Sequence, residues 1–326
     1  MTGRTVAETA GSIEVEDLTK DFVVRVRTGR LRREPKTVAA VHGISLRVDA
    51  GEIIGYIGPN GAGKSTTIKM LTGILAPTSG RVVVAGLVPL KDRVALARRI
   101  GVVFGQRSNL WWDLPLADSF DLLRHIYRVE PVRHRQNLDR LVGVLDMGSF
   151  LQTPVRSLSL GQRMRGELVS ALLHDPDVLF LDEPTVGLDV VSKHALRAAL
   201  RLLNAERGVT VVLTTHDLAD VEELCPRLVI VDHGRVIYDG GTAALKDHYG
   251  GERTLIVDLE EARPALDVAG ATCERVEGPR QWLRFSKETS AAAVLESVMQ
   301  QAAVRDLTTL EPEIEDIVRR IYTGEA

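Results

Sequence analysis

Cysteine is scarce in this 326-residue chain, aromatics make up 4%, and no long apolar run is present. Cys225 and Cys273 cannot form a disulfide scaffold or a four-cysteine zinc site, and both read as buried reduced thiols. No stretch approaches the ~18 apolar residues of a transmembrane helix, so any membrane role is expected to be peripheral. The opening MTGRTVAETAGSIEVEDL lacks the apolar core of a secretory signal, which points away from export of the chain itself. Charge of one sign is also missing. With 41 Lys+Arg against 44 Asp+Glu the net charge is -3, which removes the broad basic field of a dedicated nucleic-acid binder. What is present, 44% hydrophobic residues, suits a chain with a full core and argues against wholesale disorder.

Periodicity divides the chain into three styles. Residues 1–11 are small and polar and read as a flexible tail. Ile13 to Val24 reads as strand, interrupted at Leu18-Thr19-Lys20. Residues 25–36 carry Arg25, Arg27, Arg30, Arg32, Arg33 and Lys36 against Glu34 alone, and read as a solvated hairpin loop, with lipid head groups or an acidic partner as the alternative. Apolar runs at Ile53–Ile57, Val178–Leu181 and Val209–Leu213 have the continuous pattern of strands buried on both faces. Helical spacing fills about 107–175, and Asp232-His233-Gly234 between two apolar runs signals a hairpin. Strands alternating with helices imply an α/β core with a largely parallel sheet. From about residue 250 the pattern changes to that of a small α+β appendage.

One motif carries specific chemistry. Gly58-Pro59-Asn60-Gly61-Ala62-Gly63-Lys64-Ser65, followed by Thr66, fits the G-x-x-x-x-G-K-[ST] phosphate loop, after a strand and before a helix. Glycines let successive N–H groups curl around phosphate oxygens, and the helix N-terminus adds its positive end. Lys64 is placed to reach the β and γ phosphates and Ser65 to ligate Mg²⁺. Asp182 and Glu183 end a second buried strand, where an open α/β sheet presents its ligand crevice. Asp182 is expected to hold Mg²⁺, and Glu183 to accept the proton of an attacking water.

The remaining motifs are Gln106, Leu158-Ser159-Leu160-Gly161-Gln162, Gly187-Leu188-Asp189 and Thr215-His216-Asp217. With the phosphate loop and the acidic pair, in this order, they make residues 12–249 resemble the nucleotide-binding subunit of an ABC transporter, most like the stand-alone ATPases of ABC-2-type exporters. The resemblance implies a P-loop NTPase (RecA-like) core with an N-terminal antiparallel β subdomain and a helical insert, followed by the accessory domain at 250–326. It implies ATP and Mg²⁺ as ligands, ATP hydrolysis, and a second cassette whose Ser159, Gly161 and Gln162 cap the γ-phosphate in trans. By the same resemblance Gln106 touches Mg²⁺, His216 contacts the γ-phosphate, Phe22 stacks on adenine and Asp189 crosses the dimer interface. The expected setting is cytoplasmic, peripheral on the membrane through a permease, with no nucleic-acid partner. An importer subunit, or a soluble ABC-type ATPase acting on nucleic acid or ribosomes, is the alternative.

Three features depart from a plain match. Leu160 stands where the family usually has glycine, and costs ~1 kcal/mol or more if that backbone needs a positive φ. Trp111 and Trp112 follow the Gln106 loop and read either as a small core under the helical insert or as a permease-docking groove. Arg163 and Arg165 are expected to face solvent.

Overall fold

The computed structural model describes residues 11–27, 33–105, 108–311 and 314–323. It divides into two compact units, one up to Asp239 and one from Gly240. The division falls before residue 250, because the helix Thr242–Tyr249 groups with the second unit.

In the first unit, strands β1 (Ile13–Arg27) and β2 (Arg33–Val48) pair antiparallel. Strand β3 (Ile53–Ile57) leads into helix α1 (Lys64–Leu71), followed by β4 (Ser79–Val84), the short helix α2 (Arg93–Ala97) and β5 (Ile100–Phe104). Helices α3 (Leu116–Tyr127), α4 (Pro131–Val144) and α5 (Leu160–Leu172) form the insert. Then come β6 (Val178–Asp182), α6 (Val190–Arg207), β7 (Thr210–Thr214), α7 (Leu218–Leu224), β8 (Arg227–Asp232) and β9 (Arg235–Gly241).

Two sheets result. The antiparallel one runs β2-β1-β4 and the larger one β5-β6-β7-β3-β8-β9. In the larger sheet β3 pairs parallel with β7 and β8, and β6 pairs parallel with β5 and β7. Every residue of β3 and β7 is buried, which is why their sequences are continuous apolar runs rather than alternating ones. The hairpin turn between β8 and β9 has His233 at φ 45 and Gly234 at φ 74, the paired left-handed residues that such tight turns demand. Its tip also supports the phosphate loop: the Gly234 N–H donates to the Ala62 carbonyl at 3.1 Å.

The basic segment departs from the expected loop. β1 continues to Arg27 and β2 begins at Arg33, with Phe22 opposite Val38 and Val24 opposite Lys36. Only residues 28–32 lie outside the description. The interruption near Leu18 is a change of register, with Asp17 at φ 45, as a bulge requires.

The second unit contains α8 (Thr242–Tyr249), β10 (Glu252–Leu259), β11 (Ala271–Glu277), β12 (Arg280–Ser286), α9 (Ala291–Gln301), β13 (Val304–Leu310) and α10 (Ile314–Thr323). Its antiparallel sheet runs β11-β12-β10-β13, and Leu255, Val257, Leu283 and Phe285 pack with Val294 and Val298 of α9. This is the expected α+β class. Cys225 is buried, and desolvation pushes its thiol up to about 12. Cys273 is half-buried instead, with its sulfur near the carbonyl of Arg275.

A buried polar network ties the turn after β6 to two helices. Thr185 donates to Asp220, which is fully buried on α7 and also accepts from Arg197 Nε of α6 at 2.8 Å. Removing one partner leaves the other charge buried and unmatched. Asp220→Ala is therefore expected to destabilise the first unit by about 3 kcal/mol, read as a lower urea midpoint. Unchanged unfolding would show that Arg197 finds full compensation at Glu223, its other carboxylate partner.

Candidate nucleotide site

The phosphate loop connects β3 to α1 at the C-terminal edge of the parallel sheet. Gly61 has φ 85 and Gly63 φ 99, and a Cβ at Gly63 would sit 2.6 Å from the Ala40 carbonyl. A side chain is excluded there by conformation and by space. Under the loop, the buried Tyr56 hydroxyl donates to Thr67 Oγ1 at 3.3 Å, and Thr67 donates to the Gly63 carbonyl at 3.1 Å. These bonds pin the first turn of α1 to β3.

Lys64 bends back over the loop. Its ammonium donates to the carbonyls of Gly58 at 2.6 Å and Pro59 at 3.2 Å. Burial pulls its pKa below that of an ordinary lysine, and the carboxylates of Glu183 and Asp182 act the other way. Ser65 donates to Asp182 Oδ1 at 3.3 Å. One hydroxyl and one carboxylate, side by side, are hard oxygen donors of the kind that hold Mg²⁺ with phosphate and water completing the shell. Among the described residues no group of three or more His, Cys, Asp or Glu is arranged for a metal.

Glu183 has φ 58, a left-handed conformation that costs a residue with a side chain about 1–3 kcal/mol unless its surroundings impose it. Here they do. Its N–H donates to Thr214 O at 2.9 Å and to Thr214 Oγ1 at 3.2 Å. Glu183 Oε2 lies 2.5 Å from His216 Nδ1, so carboxylate and imidazole are held as a pair. His216 is steadied in turn by Asp217, which caps α7 through the Ala219 N–H and pairs with Lys193.

A cleft of about 650 Å³ is lined by Gly58 to Thr66 with Gly105, Glu183, Val186 and His216. The structure thus brings together the phosphate loop, the acidic pair and the histidine. Phe22 is not among the lining residues; it stands on β1, exposed, with the Lys20 ammonium 5.2 Å from its ring centre. Gln106 lies outside the described residues, although the adjoining Gly105 N–H donates to Asp182 O at 2.8 Å.

Ser159, Gly161 and Gln162 do not line this cleft. Ser159 caps α5: its Oγ accepts from the Gln162 N–H at 3.2 Å, and the Gln162 side chain accepts from the Ser159 N–H at 3.0 Å. Because the cap uses an oxygen lone pair, the hydroxyl proton is still available to an anion. Leu160 is the first helical residue and has no left-handed φ, so the expected backbone cost is absent. Its side chain lies against Gly187, where a Cβ would be 2.8 Å from Leu160 Cδ2. Asp189 caps α6, accepting from the Ser192 N–H at 2.9 Å, and that bond holds its carboxyl below the usual range.

Trp111 and Trp112 are 38% and 52% exposed, which excludes the small-core reading. Arg163 and Arg165 are half-buried rather than fully open to solvent: Arg163 lies 5.7 Å from the Trp112 ring centre, and Arg165 donates to the Leu145 carbonyl at the end of α4 at 3.2 Å.

A parallel sheet with a phosphate loop and an acidic strand end facing it defines a P-loop nucleoside triphosphatase. Residues 41–186 match the family described as ABC transporter. The chain is 31% identical over 225 residues to the ABC transporter ATP-binding protein NatA of Bacillus subtilis, covering 69% of this chain and 90% of that one. It is 41% identical over 211 residues to a Nod factor export ATP-binding protein I of Paraburkholderia xenovorans, covering 64% and 68%. It is 31% identical over 299 residues to the methionine import ATP-binding protein MetN of Latilactobacillus sakei, covering 88% and 86%. A dimeric ATP-binding cassette solved with ADP and Pi superposes with TM-score 0.59 at 25% identity, over 70% of this chain and 98% of that chain. The chain belongs to the ATP-binding-cassette family of transporter ATPases.

Thr214 is a site residue the motifs did not reveal. Its hydroxyl donates to Asp182 Oδ1 at 2.6 Å while its oxygen accepts from Glu183. The available signal was the parallel register that sets Thr214 opposite Asp182. Thr214→Val keeps the shape and removes both bonds. It is expected to lower ATPase activity about 10–100-fold with little change in thermal stability. Full activity would mean that backbone bonds alone hold the acidic pair.

Proposed function

We propose that the chain is the ATP-hydrolysing subunit of an ABC-2-type membrane exporter, powered by ATP-driven association of two cassettes. The observation that carries this reading is the convergence of Lys64, Ser65, Glu183 and His216 on one cleft, with Asp182 hydrogen-bonded to Ser65. Lys64 and the loop N–H groups bind the β and γ phosphates. Ser65 and Asp182, with Gln106, would hold Mg²⁺, which would supply charge neutralisation at the phosphates. Glu183 takes the proton from the attacking water, and His216 orients Glu183 and contacts the γ-phosphate. Phe22 is assigned to the adenine.

The open side of the cleft leaves the γ-phosphate exposed to solvent, and the anion-ready cap of α5 lies elsewhere in the chain. A second copy, head to tail, brings its Ser159, Gly161 and Gln162 to that side, with Asp189 at the seam. ATP favours the closed pair because it binds that state better than the open one. No described helix is long and apolar enough to cross a membrane. In this reading the transport path belongs to a separate permease. Trp111 and Trp112 supply exposed aromatic anchors for it, and in this reading the chain is peripheral on the cytoplasmic face through that contact. The resemblance to a Nod factor export ATP-binding protein supports the exporter direction. An importer subunit is the second reading, favoured by the likeness to MetN.

Purified wild-type protein is expected to hydrolyse Mg-ATP, and Glu183→Gln to bind ATP with activity about 10²–10⁴-fold lower. Equal activity in the two would refute the assigned base. Membrane proteins retained by the tagged chain identify the permease; Trp112→Ala is expected to lose them while binding ATP normally, and undiminished retention would remove Trp112 from the docking surface.

A further inference from the structure

Glu167 is an acidic side chain in the wrong place for a surface helix. It sits on α5, two turns or about 12 Å beyond the Ser159 cap, and is buried with 4% exposure. Burial raises the pKa of its carboxyl. A buried carboxylate is costly unless it is hydrogen-bonded, and this one accepts from the Ser108 hydroxyl and from the Asn109 N–H at 3.0 Å. Both donors belong to one loop, the segment that leaves the cleft at Gly105 and arrives at Trp111 and Trp112.

That loop is held at both ends. On the core side, Asn109 Nδ2 donates to the Val102 carbonyl of β5 at 3.1 Å. On the helical side, contacts to α5 succeed one another along its face. Arg163 covers Trp112, and Gly166 leaves room for Leu110, whose Cδ1 would be 3.1 Å from an added Cβ. Glu167 grips Ser108 and Asn109. The Ser108 oxygen also accepts from the Leu110 N–H at 3.1 Å, so one hydroxyl joins the carboxylate to the turn of the loop.

We propose that Glu167 is a positioning residue that fastens the 108–110 loop to the signature helix, so that nucleotide-dependent movement at the cleft is passed jointly to Ser159 and to the Trp111–Trp112 surface. The proposal rests on the cassette reading above. Glu167 is not among the residues lining the cleft, and it acts through the loop and the helix. Severing such a link uncouples two sites without emptying either.

The protein carries its own probe. In full-length Trp282→Phe, only Trp111 and Trp112 emit, and Mg-AMP-PNP is expected to change their fluorescence saturably. Adding Glu167→Ala is expected to leave nucleotide affinity near that background, measured by equilibrium dialysis, and to cut the emission change about threefold. Glu167→Gln keeps an acceptor oxygen and is expected to retain most of the change. Should the alanine variant unfold, Ser108→Ala, which removes one donor and leaves the Asn109 N–H, is expected to show an intermediate loss. An undiminished change in Glu167→Ala, or in Ser108→Ala where the alanine variant unfolds, overturns the proposal. So does a background protein that binds nucleotide with no change in emission. A background protein that binds no nucleotide instead defeats the cassette reading itself, and this proposal with it.

Discussion

A buried lysine facing two carboxylates is the interaction around which the cassette is organised. Lys64 is tethered to the carbonyls of its own loop, and burial weakens its hold on a proton while Asp182 and Glu183 strengthen it. The cleft holds opposed charges, an arrangement suited to an anion bridged by a cation. The parallel register makes this possible. β3 delivers the loop, β6 the acidic pair and β7 Thr214, all at one edge of one sheet, so three distant sequence segments meet without any long-range adjustment.

The helical insert gives the second half of the arrangement. Ser159 and Gln162 satisfy each other at the start of α5, which fixes the direction of the helix before any nucleotide arrives. A Cβ at Gly161 would meet Ser192 Oγ at 2.4 Å, so any side chain there requires Ser192 to move. The cap of α5 and the cap of α6 are thus packed as one surface, with Asp189 beside Gly161. Leu160 fits this surface by covering Gly187, which explains how a bulky residue occupies a position where glycine is usual.

The sequence was most informative where chemistry is set by backbone demands. Glycines at positive φ, a serine followed by glutamine at N3, and an all-apolar run before an acidic pair each have one good structural solution, and the structure adopts it. It was least informative where the meaning of a residue depends on what lies across from it. Thr214 is one of two adjacent threonines, and only its register with Asp182 makes it part of the site. Glu167 has the spacing of an ordinary surface residue on an amphipathic helix, and its burial follows from a loop that no local pattern places there. The basic segment looked like a loop because its charges mask alternation, yet pairing continues from Arg27 to Arg33. In the same way, exposed Trp111 and Trp112 were indistinguishable by type from a small core.

The central claim is that Mg-ATP is shared between two copies, one supplying the phosphate loop and the other the α5 cap. Sedimentation velocity of full-length Glu183→Gln, with and without saturating Mg-ATP, addresses it directly. The account predicts monomer without nucleotide and dimer with it, and reversion to monomer when Ser159→Arg is added. A protein that binds Mg-ATP fully yet sediments as a monomer at every concentration would contradict it.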